Sequence, residues 1–118
     1  MLKFSIPVER GNEAAKDGTL GRAIETLIEQ VQPEAAYFTV DDGKRTGLIF
    51  FNEADQARLP AINEPLFAAL EAEIDILPAL TLNDLRRGLT DVSGNSSEFS
   101  AEELEKVAGG AGATNLEE

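Results

Sequence analysis

The chain has 118 residues, carries a formal net charge of −12 and contains neither cysteine nor histidine. Its length suits one compact domain with a real core, not two, and its acid excess argues against phosphate backbones and anionic lipid as direct partners. Without Cys or His there are no disulfides, thiolate nucleophiles, thiol–imidazole metal sites, His general bases or His-ligated haem.

The opening "MLKFSIPVER" returns to charge too soon for a secretory signal peptide, and no apolar run is long enough to span a bilayer. Within it, Leu2, Phe4, Ile6 and Val8 alternate with Lys3, Ser5 and Pro7, which predicts a strand with one buried face. Pro7 has no amide hydrogen for a ladder, so an edge position or a bulge is expected there. In "GNEAAKDGTLGRAIETLIEQVQPE", Leu20, Ile24, Leu27, Ile28 and Val31 recur at helical spacing. Asp17 and Thr19 are candidate caps, Gly18 and Gly21 weaken the first turns, and Pro33 marks the stop.

"AAYFTVDDGKRTGLIFF" reads as a hairpin about Asp42-Gly43, a tight-turn dipeptide. Leu48 to Phe51 is almost wholly apolar, which predicts burial on both faces. Leu59, Ile62, Leu66, Phe67 and Leu70 are again helically spaced. Pro65 is hard to place inside a helix, so an irregular turn up to Asn63 and a main helix from about Pro65 are expected. "EIDILPAL" predicts a fourth strand, with Ile74 and Ile76 on one side and Asp75 and Leu77 on the other. "TLNDLRRGL" predicts a short helix with Thr81 as N-cap, Asp84 three residues on and Gly88 as stop.

From about Thr90 the texture becomes small and polar, as in a linker. Residues 89–118 hold seven acids and one Lys, while residues 1–88 hold 15 acids and nine bases, so each segment is net −6. The tail is therefore much the more acidic per residue. The expected organisation is an α+β domain over residues 1–89, a polar linker over 90–98 and a flexible acidic tail over 99–118.

The predicted order β-α-β-β-α-β folds, with right-handed crossovers, into an antiparallel sheet covered on one face by two helices. The other face needs cover, and Phe4, Phe38, Phe50 or Phe51 are expected to supply apolar area there, so a homodimer through the sheet face is expected. The segments "KFSIPVERGN", "PEAAYFTVDDGKRTGLIFF" and "LPAINEPLFAALEAEIDILPAL" resemble small bacterial proteins of the dimeric α/β-barrel, ferredoxin-like group. That resemblance covers roughly the first three quarters of the chain and implies the fold. It implies no activity, because the fold hosts unrelated functions. Relatives in that superfamily include small monooxygenases, isomerases and haem-degrading enzymes.

Polar candidates for a cavity in such a domain are Tyr37, Glu64 and Asp75, with Thr39 and Arg22 nearby. A buried carboxylate among them would serve as a base. Each also has a structural account: Glu64 as helix-start charge, Asp75 as the solvent side of a strand, Tyr37 as an amphipathic edge residue, and Arg22 as a partner of Glu25. Asp41 and Asp42 fit turn chemistry, not a metal site. No cofactor and no metal are expected.

In the tail, "FSAEELEKVAGG" is a fully punctuated helix. Ser100 and Glu103 form a capping box, Phe99 and Leu104 a hydrophobic staple, and Gly109 follows as the stop. Such a helix is too short to stand alone in water, and Phe99, Leu104 and Val107 want a groove. The segment resembles the double-glycine leaders of bacterial ribosomal peptides, especially the nitrile-hydratase-like ones, with Phe99 where Leu is usual and Glu103, Leu104, Val107, Gly109 and Gly110 matching. The resemblance implies docking of the apolar positions in a peptidase of an exporter, or in a peptide-modifying enzyme, with cleavage after Gly110. The remainder, "AGATNLEE", has no Cys and one Thr, a departure that leaves no material for thioether rings. The expected function is thus a non-catalytic, peptide-precursor-like protein, bacterial and cytoplasmic, with export of the part after Gly110. The alternative is a small dimeric α/β-barrel enzyme or small-molecule-binding protein whose tail is incidental.

Overall fold

The structure, a computed structural model, describes residues 1–93. The chain divides into two compact units, Met1–Pro78 and Ala79–Glu118, and each is taken by itself. The first unit runs β1 (Leu2–Ile6), α1 (Val8–Asp17), α2 (Thr19–Val31), β2 (Ala35–Asp41), β3 (Lys44–Phe50), a 3-10 turn (Gln56–Arg58), α3 (Leu59–Leu70) and β4 (Glu73–Ile76). The four strands form one antiparallel sheet in the order β2-β3-β1-β4. An α+β unit of this order is compatible with the ferredoxin-like arrangement.

Register sorts the side chains by face, because partners across a ladder share a side. Phe4 stands between Gly47 of β3 and Ile74 of β4, and Leu2 between Ile49 and Ile76. These residues face the helices. Leu2, Phe4, Ile6 and Ile49 are buried there with Ala14, Ala23, Leu27, Val31, Ile62, Leu66 and Leu70. The other side of the sheet carries Lys3, Ser5, Tyr37, Thr39, Asp41, Thr46, Leu48, Phe50 and Asp75.

The hairpin is built as its sequence requires. Asp42 and Gly43 both take positive φ, 54° and 73°, the conformation of the two-residue turn that matches strand twist. Pro33 follows α2, which ends with Gln32 in the left-handed region. Beyond Pro33, Glu34 donates its amide to the Phe50 carbonyl, which sets the start of β2.

Other expectations fail for identifiable reasons. β1 is a central strand that ends at Ile6, and Pro7 is neither at an edge nor in a bulge. Pro7 precedes α1, and its carbonyl accepts from Gly11 N at 2.8 Å, a position where the missing N–H costs nothing. Val8 therefore belongs to a helix and is half exposed. One helix was expected before the hairpin and two are present. The buried residues of α1 are Gly11 and Ala14 only, so it carries no stripe of large apolar residues to announce it. Gly18, at φ 83°, breaks α1 from α2, and Asp17 Oδ1 accepts from Thr19 N at 2.8 Å at the junction.

α3 begins at Leu59 and takes in Pro65, against the expected start near that residue. A proline in a helix interior costs roughly 3 kcal/mol. Ile62, Leu66 and Leu70, all within 1% of full burial on the core side, each contribute about 1.5–3 kcal/mol. Burial wins, and the helix runs through.

The apolar residues expected on the uncovered face are mostly elsewhere. Phe4 is buried beneath the helices, Phe38 shares its side, and Phe51 lies just past β3, packed against the core. Phe50 alone of the four lies on the face turned away from the helices of this unit. Leu48 and Phe50 are half-buried there, so β3 is not buried on both faces.

In the second unit, α4 (Leu82–Ser93) starts as expected. Asp84 N donates to Thr81 Oγ1 at 3.1 Å and Thr81 N to Asp84 Oδ2 at 3.2 Å, a reciprocal capping box. It does not stop at Gly88 but continues into the segment expected as linker. Thr90 and Ser93 hydroxyls donate back to the Arg86 and Leu89 carbonyls one turn earlier.

Candidate functional site

The sheet face turned away from α1, α2 and α3 carries apolar, polar and charged side chains. Tyr37 and Phe50 meet edge to face, with centroids 6.2 Å apart, beside Leu48. Lys3 Nζ reaches Asp41 Oδ2 at 2.7 Å, and Lys44 lies 3.8 Å from Glu73. The hydrogen bond and charge of Asp41 raise the Lys3 ammonium above its usual range, and Lys3 holds the Asp41 carboxyl below its own. Both effects favour the charged pair. Thr46, a buried polar residue, spends its hydroxyl on the Lys44 carbonyl at 3.0 Å.

Tyr37, Glu64 and Asp75 are not brought together. Tyr37 is on β2 at one edge of the sheet, and Asp75 is on β4 at the other, with β3 and β1 between. Glu64 is exposed on α3, across the sheet from both. Arg22 reaches back to Thr19 Oγ1 at 3.5 Å, not on to Glu25. Asp41 is spent on Lys3, and among the described residues no three carboxylates form a metal-sized group. Phe99, Glu103, Leu104, Val107, Gly109 and Gly110 lie outside the described residues.

In the first unit a shallow concavity lies on the helix side of the sheet, between α2 and β2. Leu20 and Ile24 of α2 form one wall and Phe38 and Val40 of β2 the other, over a floor of Phe4 and Ile6. It has a volume of about 380 Å³, within the range of about 300–1,000 Å³ usual for small-molecule sites. Phe38 and Val40 are 54% and 71% exposed, unusual for large apolar groups on the core side of a strand.

Arg45 closes one end of this groove. It sits on β3 in the helix-facing register, opposite Ile6 and Val40. Both its terminal nitrogens donate to Asn12 Oδ1 at 3.3 Å. Gly11 leaves the room: a Cβ there would stand 2.6 Å from Arg45 Nη1. Arg45, Asn12 and Gly11 escaped the sequence reading. The signal was available, since in "KRTGLIF" a guanidinium shares the alternation of Gly47 and Ile49.

Comparison with family models, with curated proteins and with solved structures finds no match for this chain.

Proposed function

We propose that the protein is a non-catalytic, ferredoxin-like domain that presents a C-terminal, double-glycine leader-like helix to a peptidase-bearing exporter or a peptide-modifying enzyme. The observation that carries this is the completeness of the first unit. Among the described residues its buried core lies within Leu2–Ala72, and the chain from Ala79 onward falls in a separate unit. The capping box, staple and Gly109-Gly110 pair of the sequence fall in that second stretch of chain.

A double-glycine peptidase incubated with the full chain should cut after Gly110 and release an eight-residue peptide, "AGATNLEE". Leu104→Ala and Gly109→Val should each abolish the cut, while circular dichroism of the first unit stays unchanged. Full resistance of the unaltered chain to a panel of such peptidases would remove the proposal.

The same reading carries a homodimer of the α/β-barrel type through the open sheet face. Tyr37, Leu48 and Phe50 supply its apolar area, and the Lys3–Asp41 pair a self-complementary charge pattern. Sedimentation at micromolar concentration should give the mass of two chains, and of one chain for Tyr37→Glu. A wild-type monomer at all concentrations would rule the dimer out.

A further inference from the structure

We infer that the groove between α2 and β2 is a binding site for one small amphipathic anion, an aliphatic or aromatic carboxylate whose apolar body lies along Phe38, Val40, Leu20 and Ile24 and whose headgroup meets Arg45. This goes beyond the leader function and does not depend on the tail.

Two independent features point to an anion. Arg45 is the one charged side chain lining a groove whose other side chains are almost all apolar, and among the described residues it makes no ion pair. Its acceptor is the neutral amide oxygen of Asn12, which leaves guanidinium donors unspent.

Arg45 is also held in place. The absence of a side chain at Gly11 lets the guanidinium lie against α1, and Asn12 takes both terminal nitrogens. A positioned, half-desolvated guanidinium suits carboxylate recognition, because its planar fork pairs with two oxygens at little entropic cost. The overall negative charge does not forbid this. Surface charges beyond about 8 Å are largely screened at physiological ionic strength, whereas the pair at Arg45 is in contact. That same charge disfavours an anionic bilayer as the source of the headgroup, so the ligand is a free, monomeric molecule.

The apolar half explains the exposure of β2. Phe38 and Val40 face the helix side, yet the helices of the first unit leave both largely exposed. A ligand chain lying between them and α2 would bury both.

The test uses the full chain with decanoate, below its micellar concentration, and 1-decanol as the uncharged counterpart. Calorimetry should show one saturable site for decanoate, with amide shifts on titration at Leu20, Ile24, Phe38 and Val40. Arg45→Met should weaken decanoate about tenfold or more, the scale of one charge-assisted hydrogen-bond pair, and leave 1-decanol within about twofold. Val40→Glu, at a position too exposed to threaten folding, should weaken both. No saturable decanoate binding, equal decanoate affinity in Arg45→Met, or shifts confined to the open sheet face would each overturn the site. So would concentration-dependent shifts of Phe38 and Val40 without ligand, which would make a second copy of the chain the occupant.

Discussion

Phe4→Ala should lower the unfolding free energy of the first unit by about 3–5 kcal/mol, the range for removing a fully buried aromatic ring. Phe4 is 1% exposed, at the centre of the sheet, with β3 on one side and β4 on the other. Its ring closes over Gly47 and forms part of the groove floor. Stability for a unit of this size is about 5–15 kcal/mol in total, so the loss should be visible as a large fall in the urea midpoint at unchanged slope. Phe38→Ala, at a half-exposed position on the same side of the sheet, should cost far less. If the two cost the same, the ring of Phe4 is not where the core is centred.

Gly47→Ala should be the second most damaging change, at about 1–3 kcal/mol, and Gly47→Val should cost more. The reason is space, not backbone freedom, since among the described residues the glycines with positive φ are Gly18 and Gly43. A Cβ at position 47 would stand 2.3 Å from Phe4 Cε2 and 2.4 Å from Cζ. Both neighbouring strands are paired there, to Phe4 and to Phe38, so the backbone has little room to yield. The double variant Gly47→Ala with Phe4→Leu tests the cause. Leucine shortens the obstructing ring, so the double change should cost less than the sum of the singles by more than about 0.5 kcal/mol. Strict additivity would show that position 47 is disfavoured for some other reason.

The two substitutions also show what could and could not be read before the fold was known. Alternation in residues 2–6 announced Phe4 as inward-facing, because period-two patterning is local. Which inward side it faced was not local. The expectation placed Phe4 and Phe38 on the uncovered face, whereas the register with Gly47 and Ile74 puts Phe4 beneath the helices and Phe38, largely exposed, on that same side of the sheet. A sheet has two faces of equal standing until the helices choose one. That choice depends on crossover geometry and on the summed burial of Leu27, Ile62, Leu66 and Leu70.

The candidate groove was legible only in fragments. Its apolar walls come from a helix and an edge strand separated by the turn at Pro33, and its cation from the next strand. Arg45 in a core-facing register was the one local clue. The helix beside it was hidden because α1 packs through Gly11 and Ala14, which leave no hydrophobic stripe. Tyr37, Glu64 and Asp75 were chosen as polar residues in apolar settings, and the sheet then spread them to two edges and an opposite face.

By itself, then, the sequence determined the elements whose causes are short-ranged. These are the hairpin turned by Asp42-Gly43, the stop at Pro33, the capping box of Thr81 and Asp84, and the helical stripes of α2 and α3. Each depends on contacts within about one turn of chain. Only the tertiary structure decided that Pro65 would be carried inside a helix, that β1 would be central, and that Arg45 would meet Asn12 across a gap left by Gly11. Those outcomes depend on burial and close approach between residues far apart in the chain, and there the energy of packing exceeds any local preference.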